Sequence, residues 1–179
     1  MEVQETKLKG CFILEPKVFK DNRGYFVESF NKSVFKEKTG VDTDFVQDNQ
    51  SSGSYGTIRG LHSQTGEHAQ AKLVRVLEGE VLDIAVDIRP ESPTYLQHVA
   101  VILSADNMKQ LFIPKGFLHG FAVLSEKSTF FYKCDNLYNK ESELGVVYND
   151  QQFDIDWIIP EDQRVLSEKD LQAPTYQSL

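Results

Sequence analysis

Residues 58–89 read IRGLHSQTGEHAQAKLVRVLEGEVLDIAVDIR, and this stretch decides the fold. Its second half alternates with a period of two between one set, Leu82, Ile84, Val86 and Ile88, and another set, Val81, Asp83, Ala85 and Asp87. This period predicts a β-strand with one set facing a core and the other set on the opposite face. Glu78-Gly79-Glu80 separates the strand from the apolar run before it, which predicts a hairpin.

The first half of the same stretch carries a histidine and several cations. Arg59, His62, Lys72 and Arg75 fall within a few strand lengths of one another. Side chains mounted on a rigid β scaffold are held with good positional precision. The pattern therefore indicates a catalytic site on these strands.

Short strands continue toward the C-terminus at regular spacing. The sequence predicts them at residues 97–103, 110–113, 120–124, 129–134 and 145–148. Turn signals rich in Pro, Gly, Ser, Asn and Asp separate them, which is typical of an all-β sandwich or barrel. The tail after Trp157 differs, because residues 160–162 and 167–170 each predict a short helical turn.

The chain before residue 58 mixes strands with one clear helix. The predicted elements are an edge or entry strand at 11–19 interrupted by Pro16, a turn at 21–24, a strand at 25–30, a helix capped by Asn31 or Ser33 that runs through Lys38 and ends at Gly40, a strand at 45–50, and a flexible loop at 51–56.

Composition limits the classes of function. The chain has 179 residues and a formal net charge of −8, without a basic stripe, so we expect one domain over 1–179 and no nucleic-acid partner. No run approaches the roughly 20 apolar residues of a membrane span, and MEVQETKLKG at the start lacks an apolar signal core. Cys11 and Cys134 are far apart, which favours two free buried thiols in a cytoplasmic protein.

A metal site is the first hypothesis for the histidines. Residues 114–119 read PKGFLH, which resembles the second motif of the cupin superfamily, whose first motif supplies His-x-His and a following Glu. Here the first motif reads His62-Ser63-Gln64, so one histidine is missing. Two histidines without a third ligand make a poor transition-metal site, which favours a metal-free barrel. The metal-dependent alternative would use His62, Glu67 and His119.

Longer motifs identify a family. RGLHSQ (59–64), QAKLVR (70–75), GEVLDIAVDIR (79–89), QLFIPKGFLHGF (110–121), FFYKCDNLY (130–138) and LSEKD (166–170) follow one another, preceded by EPKVFKDNRGYFVESFN (15–31) and FVQDNQS (45–51). Together they closely resemble the dTDP-4-dehydrorhamnose 3,5-epimerase family (RmlC), over roughly residues 3–172. The resemblance implies a cupin-type double-stranded β-helix, or jelly-roll, barrel over about 45–150. Short helices flank it, and the C-terminal tail, 157–179, is helical.

The resemblance also implies a catalytic set. The family acts on a dTDP-linked 4-keto-6-deoxyhexose and inverts the carbons on either side of the ketone without a cofactor. His62 matches the base, which suits a histidine because its pKa lies near neutrality. Asp170 matches the aspartate that orients the base, Lys72 the cation that stabilises the enolate oxygen, and Tyr132 the acid on the opposite face.

The remaining matched positions contact the substrate. Arg23 and Arg59 correspond to pyrophosphate contacts, to which Lys169 is added. Tyr138 corresponds to the aromatic ring that stacks on thymine, with Phe26 as a further wall. The full set of substrate-binding positions is Arg23, Phe26, Glu28, Gln47, Asn49, Arg59, His119, Tyr138, Glu143 and Lys169.

Two further expectations follow from the resemblance. The N-terminal strands at 10–30 cross to a partner subunit, so we expect a homodimer whose active sites are shared. Ser63 departs from the family, which usually carries Tyr or Phe there. Alternation points Ser63 away from His62, so we expect this departure to affect packing more than chemistry.

Three rival functions stay open on the sequence. Close relatives in the family epimerise only the C3 carbon with the same base and aspartate. The metal-dependent cupin above is the second rival, and a non-catalytic nucleotide-sugar binding protein is the third. The presence of a base, an acid and a cation in one set argues against the third.

Overall fold

The computed structural model describes all residues, Met1–Leu179. It contains thirteen β-strands, two α-helices and four single-turn 3₁₀ helices. The strands are β1 (Glu2–Glu5), β2 (Phe12–Glu15), β3 (Val18–Asp21), β4 (Gly24–Val27), β5 (Gln47–Ser54), β6 (Ile58–Gln64), β7 (Lys72–Glu78), β8 (Glu80–Asp87), β9 (His98–Ser104), β10 (Gln110–Ile113), β11 (Phe117–Val123), β12 (Lys127–Cys134) and β13 (Glu143–Gly145), and the helices are α1 (Lys32–Thr39) and α2 (Glu168–Leu171).

Two antiparallel sheets form the body of the molecule. The first has the strand order β1-β2-β10-β7-β12-β5, and the second has the order β13-β6-β11-β8-β9. The β3–β4 hairpin is a separate two-stranded sheet. The predicted all-β, cupin-type jelly roll is confirmed, and the two sheets face each other across a shared interior.

β8 shows why the opening stretch decides the fold. Val81 and Ala85 belong to the core cluster between the sheets, together with residues of β7, β10 and β12. Leu82, Ile84 and Val86 belong to a second cluster, which includes Trp157 of the C-terminal tail. The predicted alternation is therefore confirmed, and both faces of β8 are buried, because the tail covers the outer face of this sheet.

The elements before β6 differ most from prediction. Residues 51–56 were expected to form a flexible loop, but β5 continues to Ser54 and pairs with β12 along its whole length. Its side chains alternate between half-buried and exposed, so the polar composition reflects one solvated face. The predicted 25–30 strand is shorter, because the chain leaves the hairpin after Val27 and Phe30 packs against Phe35.

The N-terminus also contributes more than was expected. β1 was not predicted, and the run at 11–19 divides at Pro16 into β2 and β3. β2 is not an edge strand, since it pairs with both β1 and β10. The first sheet thus begins well before residue 45, where the barrel was expected to start.

The predicted helix after Asn31 is confirmed, and helical residues in the 157–179 tail are confined to Glu161–Gln163, Glu168–Leu171 and Tyr176–Ser178. Asn31 caps α1 by accepting hydrogen bonds from Ser33 N and Val34 N, and Gly40 ends the helix with a φ of 72°. Ser167 caps α2 through Asp170 N.

Cys11 and Cys134 are buried free thiols, as expected. No helix is long and apolar enough to cross a membrane.

Candidate active site

A cavity of about 480 Å³ opens between the two sheets and is lined by residues of β6, β7, β11 and β12. Its polar lining includes the four predicted catalytic residues, which neither sheet could bring together alone. The residues around it are Ser51, Thr57, Ile58, Arg59, His62, Lys72, His119, Phe121, Phe130, Tyr132, Val165, Leu166, Ser167, Lys169 and Asp170.

His62 and Asp170 form the closest polar pair of the cavity. His62 Nε2 lies 2.6 Å from Asp170 Oδ1, and the carboxylate is almost fully buried while the imidazole is partly open to the cavity. Burial would raise the pKa of Asp170, but the hydrogen bond and charge of His62, together with hydrogen bonds from Ser167 and Gly60, outweigh burial and leave the pKa below its ordinary value. Asp170 is therefore a carboxylate that accepts the Nε2 proton, which leaves the lone pair on Nδ1 of His62.

Lys72 lies on the opposite wall. β6 and β7 belong to different sheets, so Lys72 faces His62 across the interior. Its ammonium group makes no hydrogen bond or ion pair within the protein, and Nζ stands 5.7 Å from the centre of the Tyr132 ring. Burial lowers the pKa of Lys72, only partly offset by the charge of more distant acidic groups such as Asp83. A buried cation without an anion in the protein can serve an anion that arrives with the substrate.

Tyr132 shares that wall with Lys72. On β12, Tyr132 and the buried Phe130 point inward, whereas Phe131 points outward and contacts the cations of Arg75 and Lys133. Phe130 and Tyr132 therefore share the face of β12 that lines the first cavity. Burial raises the pKa of Tyr132, which keeps the phenol protonated, and its hydroxyl has no partner within the protein.

His119 sits beside the base but is held differently. Its register partner on β6 is His62, so the two histidines are neighbours across one strand pair. His119 Nε2 lies 3.0 and 3.2 Å from the two carboxylate oxygens of Asp83, a residue with no solvent exposure. Burial raises the pKa of Asp83, and the nearby His119 opposes this shift. The pair orients the His119 ring toward the cavity from within the core.

A second cavity of about 270 Å³ joins the first at His62, Lys72 and Tyr132. It is strongly polar, and several predicted substrate contacts line it. Its other walls are Gln47, Asn49, Ser63, Gln64, Gln70, Tyr138 and Glu143. Burial would raise the pKa of Glu143, but the Lys169 ammonium 2.5 Å away lowers it overall. Tyr138 donates a hydrogen bond to the same carboxylate over 3.2 Å.

Arg59 is available for an anion. Its guanidinium lines the first cavity and bonds only to the backbone oxygen of Ser52, at 3.3 Å, without a carboxylate partner. Lys169 also lines that cavity, although Glu143 binds it here. Ser63 is buried and lines the second cavity.

Three predicted substrate contacts lie elsewhere. Arg23, Phe26 and Glu28 belong to the β3–β4 hairpin and the residues after it, and none of them lines either cavity. Phe26 is 66% exposed, Arg23 pairs with Asp21, and Glu28 accepts a hydrogen bond from Asn31. Within one chain the structure does not bring them to the site.

Several site residues had no individual signal in the sequence. Asp83 was read only as part of the β8 alternation, although an aspartate on a fully buried face implies a partner. Phe121 and Phe130 form a stacked pair with ring centres 4.1 Å apart in the cavity wall. Ser167 was predicted as a helical-turn residue, and its cap on α2 fixes the backbone of Asp170.

The structure gives no support to the metal-dependent alternative. No group of three or more His, Cys, Asp or Glu side chains converges on one point. Glu67, the third ligand in that hypothesis, is 90% exposed on a short turn, and the Nε2 atoms of His62 and His119 are each bonded to a carboxylate.

The barrel and its contents define a class. A histidine paired with a carboxylate faces a phenol and an unpaired lysine across the interior of a jelly roll, an arrangement that can carry out proton transfer at carbon beside a carbonyl. The family model for dTDP-4-dehydrorhamnose 3,5-epimerase matches residues 5–178. The chain belongs to this family.

Relatives and solved structures agree with this membership. The dTDP-4-dehydrorhamnose 3,5-epimerase of Salmonella typhimurium is 51% identical over 97% of this chain and 94% of its own length. The crystal structure of the Elizabethkingia anophelis epimerase is 54% identical with a TM-score of 0.96, covering 99% of this chain and 97% of that one. The Legionella pneumophila enzyme, solved with dTDP-4-keto-L-rhamnose, is 48% identical with a TM-score of 0.93, covering 97% and 92%.

Proposed function

We propose that this chain epimerises C3 and C5 of dTDP-4-dehydro-6-deoxy-D-glucose to give dTDP-4-dehydro-L-rhamnose, a step of dTDP-L-rhamnose biosynthesis. The observation that carries the proposal is the placement of His62 on one sheet and of Lys72 and Tyr132 on the facing sheet. A sugar ring held between the sheets would present one face to a base and the other face to an acid. Inversion of a carbon centre needs both.

The chemistry follows from the acidity of hydrogens beside a ketone. His62 Nδ1 takes the proton from the carbon, and the electron pair moves to the C4 oxygen as an enolate. Asp170 stabilises the imidazolium that forms, through the 2.6 Å contact. Lys72 stabilises the enolate oxygen, and the negative charge that develops there in turn favours the protonated form of this lysine.

The second half of the step returns a proton from the other side. The Tyr132 hydroxyl donates its proton to the carbon as the enolate collapses back to the ketone, and a tyrosinate remains. Transfer of a proton from His62 to Tyr132 through solvent restores both groups. Because C3 and C5 both flank the C4 carbonyl, one base and one acid can serve both centres. No electron changes hands, so the reaction needs no cofactor.

The nucleotide would extend from the sugar toward Tyr138. Arg59 carries no internal counter-ion, and with Lys169 it supplies the positive charge that a diphosphate prefers. Tyr138 is 54% exposed and offers a flat face for thymine, with Gln47, Asn49 and Glu143 as polar neighbours. His119 would contact the sugar.

A second copy of the chain would complete the site. The β3–β4 hairpin exposes Phe19, Tyr25 and Phe26, and Arg23 lies at its turn. Three exposed aromatic side chains on a two-stranded sheet are typical of a surface that a partner covers. We therefore include a homodimer in the proposal, with Arg23, Phe26 and Glu28 reaching the neighbour's cavity. In this proposal each copy folds as one domain over 1–179, and the protein acts in the cytoplasm.

Proton NMR of dTDP-4-keto-6-deoxyglucose in heavy water tests the proposal. We expect loss of both the H3 and H5 signals with the wild-type protein and no loss of either with His62→Ala. Loss of H3 alone would assign a 3-epimerase with the same mechanism. Retention of both signals while dTDP still binds would contradict catalysis on this substrate.

A further inference from the structure

The segment that carries Tyr138 and Glu143 is docked onto the turn that contains His68. This turn comprises residues 65–70, and side-chain hydrogen bonds hold the two segments together. The Asn136 amide donates to the Glu67 carbonyl over 2.8 Å, and the Gln70 amide donates to the Asn136 carbonyl over 2.8 Å. This docking therefore contributes to the position of both predicted nucleotide contacts, together with the hydrogen bonds from Tyr138 N to Gln47 Oε1 and from Asn139 N to Gln64 Oε1.

Asn139 is the centre of the docked segment, and its amide can point only one way. Its Oδ1 accepts hydrogen bonds from Glu141 N at 2.8 Å and from Ser142 N at 3.2 Å, which caps the short helical turn before Glu143. The Nδ2 group must then face His68, whose Nε2 lies 3.1 Å away. An amide NH₂ group is only a donor, so Nε2 of His68 has to be the acceptor.

This assignment fixes the protonation state of His68. Nε2 accepts a hydrogen bond only when it carries a lone pair, so the contact with Asn139 exists only for the neutral ring. Protonation would place an N–H group opposite the N–H group of Asn139. The same Nε2 lies 3.6 Å from Glu67 Oε1, which offers the protonated ring an alternative partner.

The charged groups around His68 do not remove this sensitivity. Glu67 is the one carboxylate within 4.0 Å, and because its side chain is 90% exposed its attraction is weak. Lys140 and Glu141 lie on the facing turn and have opposite charges. The His68 side chain is 32% exposed, so solvent reaches the ring.

We propose that His68 is a positioning residue that couples nucleotide binding to pH through Asn139. In the neutral state it holds the 136–143 segment in place for the nucleotide, and in the protonated state it turns to Glu67 and releases Asn139. The inference rests on the proposed function, since it takes Tyr138 and Glu143 as contacts to the nucleotide.

Binding of dTDP to the full-length protein, measured by calorimetry at about pH 8 and about pH 5.5, tests the proposal. The matched variant is His68→Gln, whose side-chain oxygen can accept from Asn139 but does not titrate. We expect similar dissociation constants at the higher pH, and at the lower pH a wild-type constant roughly three- to tenfold above that of His68→Gln. Ionisation of dTDP itself cancels in this ratio. A ratio that does not change with pH would overturn the proposal.

A second variant reverses the expected sign. Asn139→Asp keeps a good cap for the turn, but its carboxylate prefers the protonated histidine. Relative to His68→Gln, its affinity for dTDP should improve as the pH falls. Loss of affinity on acidification, parallel to the wild type, would contradict the assignment.

The free protein gives a readout that does not need the nucleotide. Amide hydrogen exchange of residues 138–142 should be faster in the wild type than in His68→Gln at about pH 5.5, and equal in the two proteins at about pH 8. If dTDP binds neither protein at either pH, the nucleotide assignment of the proposed function fails, and this exchange comparison alone decides the role of His68. Equal exchange at both pH values would refute that role.

Discussion

Two clusters of polar side chains in this molecule differ in whether their hydrogen-bonding groups find partners within the chain. Around Asp87, at the end of β8, every hydrogen-bonding group finds a partner in the chain: the carboxylate accepts from Arg89 at 2.7 and 2.8 Å, from Ser92 at 2.5 Å and from Thr94 at 2.7 Å. Around the cavity, the Lys72 ammonium and the Tyr132 hydroxyl are half-buried, and neither makes a hydrogen bond or an ion pair within the protein.

The difference separates a structural cluster from a functional one. A buried polar group without a partner costs stability, so it persists where the missing partner is a substrate. The Asp87 cluster stabilises the connection between β8 and β9. The cavity cluster keeps its cation and its phenol available at the expense of stability.

The largest effect should come from removal of the base. Aspartates orient two imidazoles toward the first cavity, and only that of His62 is partly open to solvent. His62→Ala removes this imidazole and its free Nδ1. We expect the rate of epimerisation to fall by about 10³-fold or more, since general base catalysis typically contributes 10²–10⁴-fold. Steady-state kinetics on the keto sugar gives the rate, and unchanged binding of dTDP would show that the fold is intact. A loss below about tenfold would remove His62 from the role of base.

Loss of the cation should separate activity from stability. Lys72→Met should slow epimerisation by roughly 10²–10³-fold, the usual cost of one donor to an oxyanion. The free energy of unfolding of the same variant should be about 1 kcal/mol higher, so it should unfold at a higher denaturant concentration. Burial lowers the pKa of Lys72, which means that the folded wild type carries a free-energy cost that the methionine removes.

The pH dependence of unfolding sharpens this prediction. Between the lowered pKa of Lys72 and its ordinary value, the unfolded chain binds more protons than the folded chain, so wild-type stability gains from rising pH in this window. Lys72→Met should lack that gain. A variant that is both inactive and less stable than the wild type would show that Lys72 has a structural role.

The Asp87 cluster should respond in the opposite way. Asp87→Asn removes the charge that Arg89 pairs with and should cost about 2 kcal/mol of unfolding free energy, while kcat stays near the wild-type value. The hydrogen bonds to Asp87 outweigh the effect of burial and lower its pKa to about 2. Its contribution is therefore complete above the unfolded pKa of about 4 and is lost as the pH falls toward about 2.

Acid unfolding of the wild type and of Asp87→Asn gives the comparison for this cluster. The stability difference between the two proteins should shrink as the pH falls through that range. A difference that persists at the lowest pH would contradict the electrostatic account.

The smallest effect should come from an ion pair that is neither buried nor near the cavity. Lys127 and Glu78 lie 3.1 Å apart on the surface, with side chains 64% and 51% exposed. Lys127→Met should change the unfolding free energy by less than about 0.5 kcal/mol and leave kinetics unchanged. A change above 1 kcal/mol would show that exposure is a poor guide to the energetics of these clusters.

The sequence predicted those parts of the molecule where local pattern and tertiary environment agree. The alternation of Leu82, Ile84 and Val86 with Val81 and Ala85 identified the strand β8, although burial of its outer face comes from the C-terminal tail. The Asn31 cap and Gly40 placed α1 to within one residue. His62 and Lys72 stand on strands whose pattern was also clear.

Prediction from the sequence was wrong where strand pairing alone determines the structure. Nothing in Ser51, Ser52 or Gly53 favours a strand, but β12 supplies the hydrogen bonds that make these residues one. Asp170 could be selected only by family resemblance, because 108 residues separate it from His62 in the chain. The facing sheets that place Lys72 opposite the base are likewise a property of topology.

The most direct test of the central claim is a crystal structure with dTDP-L-rhamnose, a product-like sugar that lacks the reactive ketone. The account predicts the hexose between His62 and Tyr132, with its C4 oxygen within hydrogen-bond distance of Lys72 Nζ and the diphosphate on Arg59. A hexose outside the cavity, or a diphosphate bound to Lys72, would show that the unpartnered cation and phenol do not mark the reaction site.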